Sequence, residues 1–428
     1  MKLLEPGAVV DGFVVRECIH AGGMAHIYRV EYASGAPDPG FPMAMKIPRM
    51  TAGDGAENIV GFEVELQILP ALTGPHVPRF VAAGDLHRLP YITMEYLQGH
   101  TLQHWLDASE RPDEELIARL GTALAHAVHS LHQQNACHLD LKPGNVLFTH
   151  EDHAVLLDFG LSWHAHFPDL LAEEQRKAVG SPAWMAPAPP RKHRPDLAPW
   201  LQEIILRCLE PEAARRYPSA AHLALDLANP TQVRITERGH RTQGTPFRTH
   251  FKRWLRAAGM HYQPSPLPSR QIEETPIVMV AVPHSDVTDA TLYSLREAVA
   301  RSLGIRPGAR LACVTVLSPS ASSTSDSARS ETALHRQHHA RLRQWAQPLD
   351  LTEHPVSYHV LESSDVAHAL VRYAEGNHVN MMILGAATHG LQTQRFIATV
   401  PMRVARDAPC TVILVKQSLP FARLAGAS

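Results

Sequence analysis

The sequence predicts two folded domains of different class, an N-terminal α+β domain and a C-terminal α/β domain with a parallel sheet. Its 428 residues are enough for two or three domains of ordinary size. The stretch from Pro264 to Ser269 has the composition of a semi-rigid linker. After it, apolar strand-like runs alternate with helical patterns, an order that indicates a parallel sheet. We expect domains at residues 10–230 and 271–418, with a basic and proline-rich linker at 231–270.

The composition is that of an ordinary globular protein, with 45% hydrophobic residues, 19% charged residues and a net charge of -2. This balance gives no electrostatic reason to expect a nucleic-acid partner. Five scattered cysteines, an odd number without metal-ligand spacing, favour a reducing compartment over a disulfide framework. Pro6 interrupts the apolar start too soon for a secretory signal, and no run of about 18 apolar residues exists. We therefore expect a cytoplasmic protein without a transmembrane segment.

The most specific chemical signal lies in residues 138–148, which read His-Leu-Asp-Leu-Lys-Pro-Gly-Asn-Val-Leu-Phe and are followed by Asp158-Phe159-Gly160. Phosphoryl transfer needs a carboxylate beside the attacking hydroxyl and metal ions on the phosphates, because positioning and charge neutralisation do most of the catalysis. These residues resemble the catalytic loop and metal-binding turn of protein kinases. A strand-turn-strand hairpin with incidental polar residues is the alternative interpretation, but it leaves the coincidence of so many positions unexplained.

The resemblance to protein kinases implies a bilobal fold and a role for each polar residue of this block. Asp140 corresponds to the catalytic base, and Asn145 and Asp158 correspond to the Mg²⁺ ligands. Lys142 resembles the lysine of the serine/threonine class and would stabilise the transferring phosphoryl group. The implied cofactors are ATP and Mg²⁺, and the implied partner is a protein substrate with Ser or Thr hydroxyls.

Upstream, the segment from Ile19 to Tyr28 is similar to the glycine-rich loop of bacterial kinases. His20 and Ala25 stand where two glycines are expected, whereas Gly22 and its neighbour Gly23 remain. Because the backbone must approach the phosphates closely there, the two losses should weaken nucleotide binding. An ordinary β-turn would give the same short pattern.

Lys46 ends an apolar strand and resembles the lysine that pairs with the α- and β-phosphates. The kinase pattern selects Glu65, rather than Glu63, as its helix partner, although a solvated helix face with incidental acids is an alternative. Met94 is the expected gatekeeper before a hinge at Glu95–Leu97. The expected nucleotide-binding residues are Ile19, Gly22, Gly23, Ile27, Ala44, Lys46, Met94, Glu95, Leu97 and Leu147.

The activation segment lacks the usual phosphorylation switch. Leu139 replaces the arginine that a phosphate on this segment would pair with, and residues 163–180 contain no Ser, Thr or Tyr. A segment with neither an acceptor nor an arginine partner cannot be ordered by phosphorylation in the usual way. Ser181 resembles the substrate-facing threonine that would bridge Asp140 and Lys142.

The large lobe is predicted to be shortened. Ala188 replaces an expected glutamate, and only 13 residues with four prolines, Ala188–Trp200, precede a late helix at Leu201–Leu209. Such a segment cannot form a long buried helix. Arg216 matches the arginine that would pair with the missing glutamate, and the aspartate that should brace the catalytic loop is also missing. A lobe of this kind could be unstable or catalytically weak.

Within the linker, four apolar residues fall at helical spacing among basic ones. They are Phe247, Phe251, Trp254 and Leu255, with Arg248, Lys252, Arg253 and Arg256 around them. We interpret this segment as a short helix that docks on the kinase lobe. A helix on a membrane surface is the alternative.

The C-terminal half predicts strands at Ile277–Val282, Ala312–Leu317, Val379–Leu384 and Thr411–Val415, separated by helices. Together with Gly385, Ala398 and Thr399 this order resembles a universal stress protein domain. In nucleotide-binding members a glycine-rich frame holds the phosphates, but here Thr388 and Ala398 replace two glycines and Pro283 replaces an aspartate. The resemblance therefore implies a vestigial phosphate site, and we expect the apolar last strand to form a homodimer.

The sequence as a whole predicts a serine/threonine protein kinase fused to a stress-protein domain that serves dimerisation or sensing. A pseudokinase scaffold with little or no phosphotransfer is the rival hypothesis. Retention of the polar catalytic residues favours the enzyme, whereas the missing helix and glycines favour the scaffold.

Overall fold

A computed structural model describes most of the chain. The described residues are 3–22, 25–33, 39–49, 56–85, 88–108, 111–149, 152–170, 189–210, 212–242, 267–284, 288–304, 308–317, 327–386 and 399–416. Gly23, Ser181, Ala188, the Phe247–Leu255 pattern, Thr388 and Ala398 lie outside these residues. The chain divides into two compact units, Met1–Ser269 and Arg270–Ser428, called here the N-terminal and C-terminal units.

The N-terminal unit begins with an antiparallel sheet in the strand order β1-β2-β3-β4-β6-β5. Its strands are β1 (Val9–Val10), β2 (Phe13–Ala21), β3 (Ala25–Tyr32), β4 (Met43–Pro48), β5 (Phe80–Ala83) and β6 (Ile92–Glu95). In β4, Met43, Met45 and Ile47 pack into one core, so the alternation of side chains turns Ala44 and Lys46 to the opposite face. Helix α1 (Ala56–Ile68) follows β4 and supplies Glu65.

A mainly helical lobe follows. Its first elements are β7 (His100–Thr101), α2 (Leu102–Ala108), α3 (Glu114–Gln133), β8 (Ala136–Cys137), β9 (Val146–Phe148), β10 (Ala154–Leu156) and β11 (Trp163–His164). The start of α3 is fixed by Asp113, whose carboxylate accepts a hydrogen bond of 2.7 Å from the Leu116 N–H. Strands β9 and β10 form an antiparallel hairpin with Val146 opposite Leu156. This register brings together Asn145, just before β9, and Asp158, just after β10.

The last described part of the lobe consists of short helices. Among the residues described from Pro189 onward, a one-turn helix with no buried residue, α4 (Pro190–His193), precedes α5 (Pro199–Cys208). Two further helices complete the lobe, α6 (Ala220–Ala228) and α7 (Glu237–His240).

Two buried polar residues of α5 hold the segment around α7, and we call them the α5 clamp. The Gln202 amide donates hydrogen bonds of 2.8 Å to the carbonyls of both Arg238 and Arg241. The Glu203 carboxylate accepts from the Thr236 N–H at 2.9 Å and from the Gly239 N–H at 3.0 Å. Residues 236–241 are therefore packed onto the helical lobe.

The C-terminal unit contains a five-stranded parallel sheet in the order β14-β13-β12-β15-β16. Its strands are β12 (Ile277–Ala281), β13 (Arg310–Leu317), β14 (Val356–Glu362), β15 (Met381–Gly385) and β16 (Thr411–Val415). Its helices are α8 (Pro268–Glu274), which begins before the unit boundary, α9 (Asp289–Gly304), α10 (Ser327–Ala346), α11 (Val366–Gly376) and α12 (Val400–Asp407).

All eight residues of β13 are buried, as expected for a central strand covered on both faces. The sequence prediction missed β14, because its run Val-Ser-Tyr-His-Val-Leu-Glu mixes polar and apolar residues at the sheet edge. Among the described helices of the whole chain, none combines the length and apolarity needed to cross a membrane.

Candidate active site

Three charged side chains meet between the sheet, α1 and the turn after β10. The Lys46 Nζ lies 2.5 Å from Glu65 Oε2 and 2.9 Å from Asp158 Oδ1. The other oxygen of Glu65 accepts a hydrogen bond of 3.4 Å from the Phe159 N–H. One buried carboxylate thus joins the strand lysine to the Asp-Phe-Gly turn.

A second group of polar side chains lies on the loop between β8 and β9. Lys142 Nζ donates to Asp140 Oδ2 at 2.6 Å, and the Asn145 amide donates to the same oxygen at 3.1 Å. The Asn145 amide also donates to the Asp140 carbonyl at 3.0 Å. Asp140 is therefore held in one orientation by two neighbours from its own loop.

His138 braces this loop from behind. Its Nε2 lies 3.0 Å from the Leu157 carbonyl, which can only accept, so Nε2 carries the proton. Its Nδ1 then accepts from the Asp140 N–H at 3.3 Å, and Ser162 Oγ donates to the His138 carbonyl at 3.0 Å. Burial lowers the pKa of His138, which keeps the ring in this neutral form. The loop that sequence considerations left without a brace is held by His138 and Ser162.

These groups open into one cavity of about 780 Å³ between the two lobes. Every described residue expected to bind the nucleotide or act in catalysis lines it, so the structure brings all of them together. They are Ile19, Gly22, Ile27, Ala44, Lys46, Glu65, Met94, Glu95, Leu97, Asp140, Lys142, Asn145, Leu147 and Asp158. His20, which replaces a glycine in the loop pattern, lines the same cavity.

Comparison with known families agrees with this geometry. The model of the protein kinase domain matches residues 22–220, and the model of the universal stress protein family matches residues 276–416. The chain carries a protein kinase domain followed by a universal stress protein domain. Both resemblances inferred from the sequence are thereby confirmed. Protein kinases as a family use ATP and a divalent metal ion.

Three curated relatives are similar to the kinase half. Citron rho-interacting kinase from Rattus norvegicus is 31% identical over 188 residues, which cover 44% of this chain and 9% of that protein. Serine/threonine-protein kinase PrkC from Bacillus subtilis is 30% identical over 154 residues, covering 35% and 22% of the two chains. Serine/threonine-protein kinase PknI from Mycobacterium tuberculosis is 28% identical over 256 residues, covering 52% and 42%. The chain spans less than half the length of each of these relatives.

Electrostatics keep the Lys46 group charged. Burial alone would lower the pKa of Lys46, but the Glu65 and Asp158 carboxylates outweigh it and raise that pKa. Burial would likewise raise the pKa of Asp158, yet the neighbouring Lys46 charge and hydrogen bond hold it below its ordinary value. Asp158 is therefore a carboxylate at neutral pH, as a metal ligand must be.

The donor set of the kinase domain fits a magnesium ion. The Asn145 amide nitrogen donates to Asp140, so the amide oxygen of Asn145 remains as an acceptor. Asp158 uses Oδ1 for Lys46, and within the described residues Oδ2 accepts no hydrogen bond. Magnesium prefers such oxygen ligands together with substrate phosphates, usually with only one or two carboxylates from the protein.

Two residues of the site adopt the left-handed backbone region, Leu139 with φ 60° and Asp158 with φ 65°. Aspartate tolerates this region better than most residues, whereas for leucine it is strained. The strain persists because the loop on both sides is held by His138 and Asn145. Strain of this kind accumulates at functional sites.

Sequence reasoning missed the bracing residues and one loop contact. His138 belongs to the motif that was recognised, but its hydrogen bond to Leu157 joins positions that the pattern alone does not relate. Arg49 donates to the Gly22 carbonyl at 3.2 Å and so attaches the glycine-rich loop to the end of β4. Its position three residues after Lys46 was the only signal available.

The stress-protein domain keeps two described positions of its expected phosphate frame. Gly385 ends β15, where a Cβ would meet only the methyl group of Thr291 at 3.5 Å. Thr399 precedes α12, and its side chain caps no helix N–H. Pro283 is exposed just after β12. These three lie at the carboxyl ends of their strands or at a helix start, where ligands bind in such sheets.

Proposed function

We propose that this protein is a serine/threonine protein kinase that transfers the γ-phosphate of ATP to protein hydroxyls with Mg²⁺. The observation that carries the proposal is the contact of Lys46 with both Glu65 and Asp158 in the cavity that Asp140 also lines. These groups are already oriented without a phosphorylated activation segment. The names of the bacterial relatives support the same class of substrate.

In the proposed mechanism each polar residue has one task. Lys46, held by Glu65, would bind the α- and β-phosphates. Asp140 would accept the proton of the attacking Ser or Thr hydroxyl, and Lys142, 2.6 Å away, would offset negative charge on the transferring group. Asn145 and Asp158 would hold Mg²⁺, which supplies charge neutralisation on the phosphates when bound.

At the adenine end of the proposed site, fewer backbone N–H groups remain for the ligand than the predicted hinge at Glu95–Leu97 suggested. The N–H groups of Glu95 and Tyr96 already donate to the carbonyls of Arg79 and Pro42, at 2.8 and 2.7 Å. Among the described residues the Leu97 N–H has no backbone acceptor. We therefore assign the donor to adenine to Leu97, with Ala44 and Leu147 as apolar walls.

The proposal is tested by incubating the purified full chain with labelled ATP and Mg²⁺ and measuring phosphate on Ser and Thr. Wild type should become labelled, and Asp140→Asn should not. Equal labelling of both would contradict the proposal.

A pseudokinase scaffold is a second candidate, favoured by His20. Its imidazole lines the cavity where a glycine is expected, and a Cβ on Gly22 would lie 2.8 Å from its Nε2. A scaffold would bind ATP in calorimetry and show no labelling above Asp140→Asn.

We extend the proposal to dimerisation through the stress-protein domain. Strand β16 lies at the edge of the sheet, and Leu414 on it is 38% exposed. Met402 on the adjacent α12 is 62% exposed. Edge strands with apolar neighbours pair readily with a second copy.

Light scattering on the full chain should give twice the mass of one chain. The variant Leu414→Glu should give the mass of one chain, and the control Leu334→Glu should remain a dimer. A monomeric wild type would overturn this part.

A further inference from the structure

A second groove of about 540 Å³ lies on the kinase domain, away from the ATP cavity, between α3, the start of α5 and the end of α6. Its floor is apolar, formed by Ala118, Trp200 and Leu227, and its rim carries the carboxylates of Glu114 and Glu115. Trp200 packs against the apolar cluster that includes Leu227 and is itself only partly buried. This volume is in the range of ordinary binding clefts, roughly 300–1,000 Å³.

The charge of the groove is negative. Among its described lining residues the one basic side chain, Arg119, is already paired with Asp152 at 2.8 Å. Glu114 accepts a hydrogen bond of 2.5 Å from the Ala198 N–H, which fixes it at the rim. Glu115 forms no salt bridge with any residue that the structure describes. A matching occupant should therefore combine large apolar side chains with positive charge.

The chain itself contains a segment with this composition, which follows the residues held by the α5 clamp. Residues 243–266 carry four basic residues and no acidic residue. Phe247, Phe251 and Trp254 fall at i, i+4 and i+7, the spacing of anchors in helix-in-groove recognition. Both the apolar anchors and the sign of the charge complement the groove.

The two ends of this segment fix where it has to run. Before it, the Arg241 carbonyl is held by Gln202 on α5, and Gly239 lies next to Pro199, the neighbour of Trp200. After it, Ser269 donates to Asn135 Oδ1 at 2.8 Å, two residues beyond the end of α3. The segment thus leaves near the groove and returns at the other end of α3, a helix about 30 Å long. Twenty-four residues cover that span with enough left over to fill the groove.

We propose that the segment 243–266 docks in the groove formed by α3, α5 and α6, with Phe247, Phe251 and Trp254 on its apolar floor and the basic residues facing Glu115. The docked segment covers the surface of α3 and α6 that lines this groove. This inference concerns an interaction surface and holds whether or not the chain transfers phosphate.

The test measures access to the groove in the full chain. Ala118→Cys places a thiol in the groove, and this thiol is labelled with N-ethylmaleimide. The labelling rate is measured on the peptide that contains the thiol. Adding Phe251→Asp should speed the labelling at least tenfold, whereas the matched control Phe251→Leu should leave it slow. The charge reversal Glu115→Lys should speed amide hydrogen exchange of residues 247–256 several-fold, and the reversal Glu212→Lys, at a side chain 60% exposed outside the groove, should not.

Three results would overturn the proposal. If Phe251→Asp does not change the labelling rate and Glu115→Lys does not change the exchange rate, the segment does not bind in this groove. Protection that disappears on dilution, together with a matching change in mass, would identify a second copy as the occupant. Protection that arises only with vesicles of phosphatidylcholine and phosphatidylserine would identify a membrane surface instead.

Discussion

Two buried polar networks of the kinase domain differ in how many of their hydrogen-bonding positions are filled. In the α5 clamp, Gln202 and Glu203 use their donors and acceptors on the backbone of residues 236–241, and the Gln202 oxygen also accepts from the Arg191 N–H. In the cavity lined by Lys46 and Asp140, by contrast, the Asn145 amide oxygen and Asp158 Oδ2 accept no hydrogen bond from the residues that the structure describes. A buried polar network that closes on its own backbone builds the fold, whereas one that retains spare acceptors in a cavity is suited to bind something.

The clamp also shows how charged and polar side chains are buried in this lobe. Burying a carboxylate such as Glu203 is costly unless hydrogen bonds replace its water. Here Thr236, Gly239 and the nearby Arg238 guanidinium, 3.4 Å away, provide that replacement. Residues 236–241 are thereby fixed to α5.

The largest expected effect tests whether the polar network in the cavity, here called the open network, is catalytic. Asp140→Asn keeps the size of the side chain but removes the base, so phosphotransfer should fall about 10³-fold with stability unchanged. Initial rates with labelled ATP measure this, and the exposed Asp107→Asn on α2 serves as the matched control. If Asp140→Asn retains wild-type activity, the open network is not catalytic in the proposed way.

A substitution in the α5 clamp should change the stability of the protein rather than its phosphotransfer activity. Glu203→Ala leaves the Thr236 and Gly239 donors without their acceptor and leaves Glu210 as the remaining carboxylate beside Arg238, which should lower the free energy of unfolding by about 3 kcal/mol. Urea unfolding of the full chain measures the loss. The exposed Glu212→Ala should cost less than about 1 kcal/mol. A similarly small cost for Glu203→Ala would show that the clamp does not hold the lobe.

A buried histidine of the stress-protein domain should make the stability of the protein depend on pH. His359 is buried on β14, its Nε2 has no hydrogen-bond partner among the described residues, and burial, reinforced by Arg310, lowers its pKa to about 4. The unfolded chain therefore takes up a proton first as the pH falls below about 6.5, and stability should drop by about 2 kcal/mol between pH 6.5 and 5.

Urea midpoints at pH 6.5 and pH 5 for His359→Leu and for the exposed His368→Gln test this expectation. The first variant should lose much of the pH dependence and the second should keep it. An unchanged dependence in His359→Leu would exclude His359 as its source.

The smallest expected effect concerns activation. Residues 163–180 offer no phosphoacceptor, and Lys46 is already paired with Glu65. Phosphatase treatment should therefore change the initial rate by less than about twofold, since no charge has to be neutralised. A large loss of activity, restored by a mapped phosphate on the activation segment, would show that the switch has been retained.

The catalytic loop could be predicted from the sequence because its chemistry is local. Asp140, Lys142 and Asn145 lie within six residues, so their residue types and spacing reveal their relation. The extent of α3 also has a local basis, since its apolar residues recur at helical spacing from Glu114 to Gln133. In both cases the signal lies within one continuous stretch of chain.

The α5 clamp could not be predicted in this way. Gln202 and Glu203 interrupt an apolar helix pattern and look like an ordinary solvated face, yet they are 0% and 4% exposed. Their partners at residues 236–241 are more than thirty positions away and were assigned to a linker by composition. Strand β14 was missed because an edge strand needs fewer apolar residues than a central one.

Leu139 has a consequence for protein engineering. A leucine at φ 60° stores about 1–2 kcal/mol that asparagine or glycine at the same place would not. Leu139→Asn is therefore a route to higher thermal tolerance, worth a few degrees in melting temperature for a domain of this size.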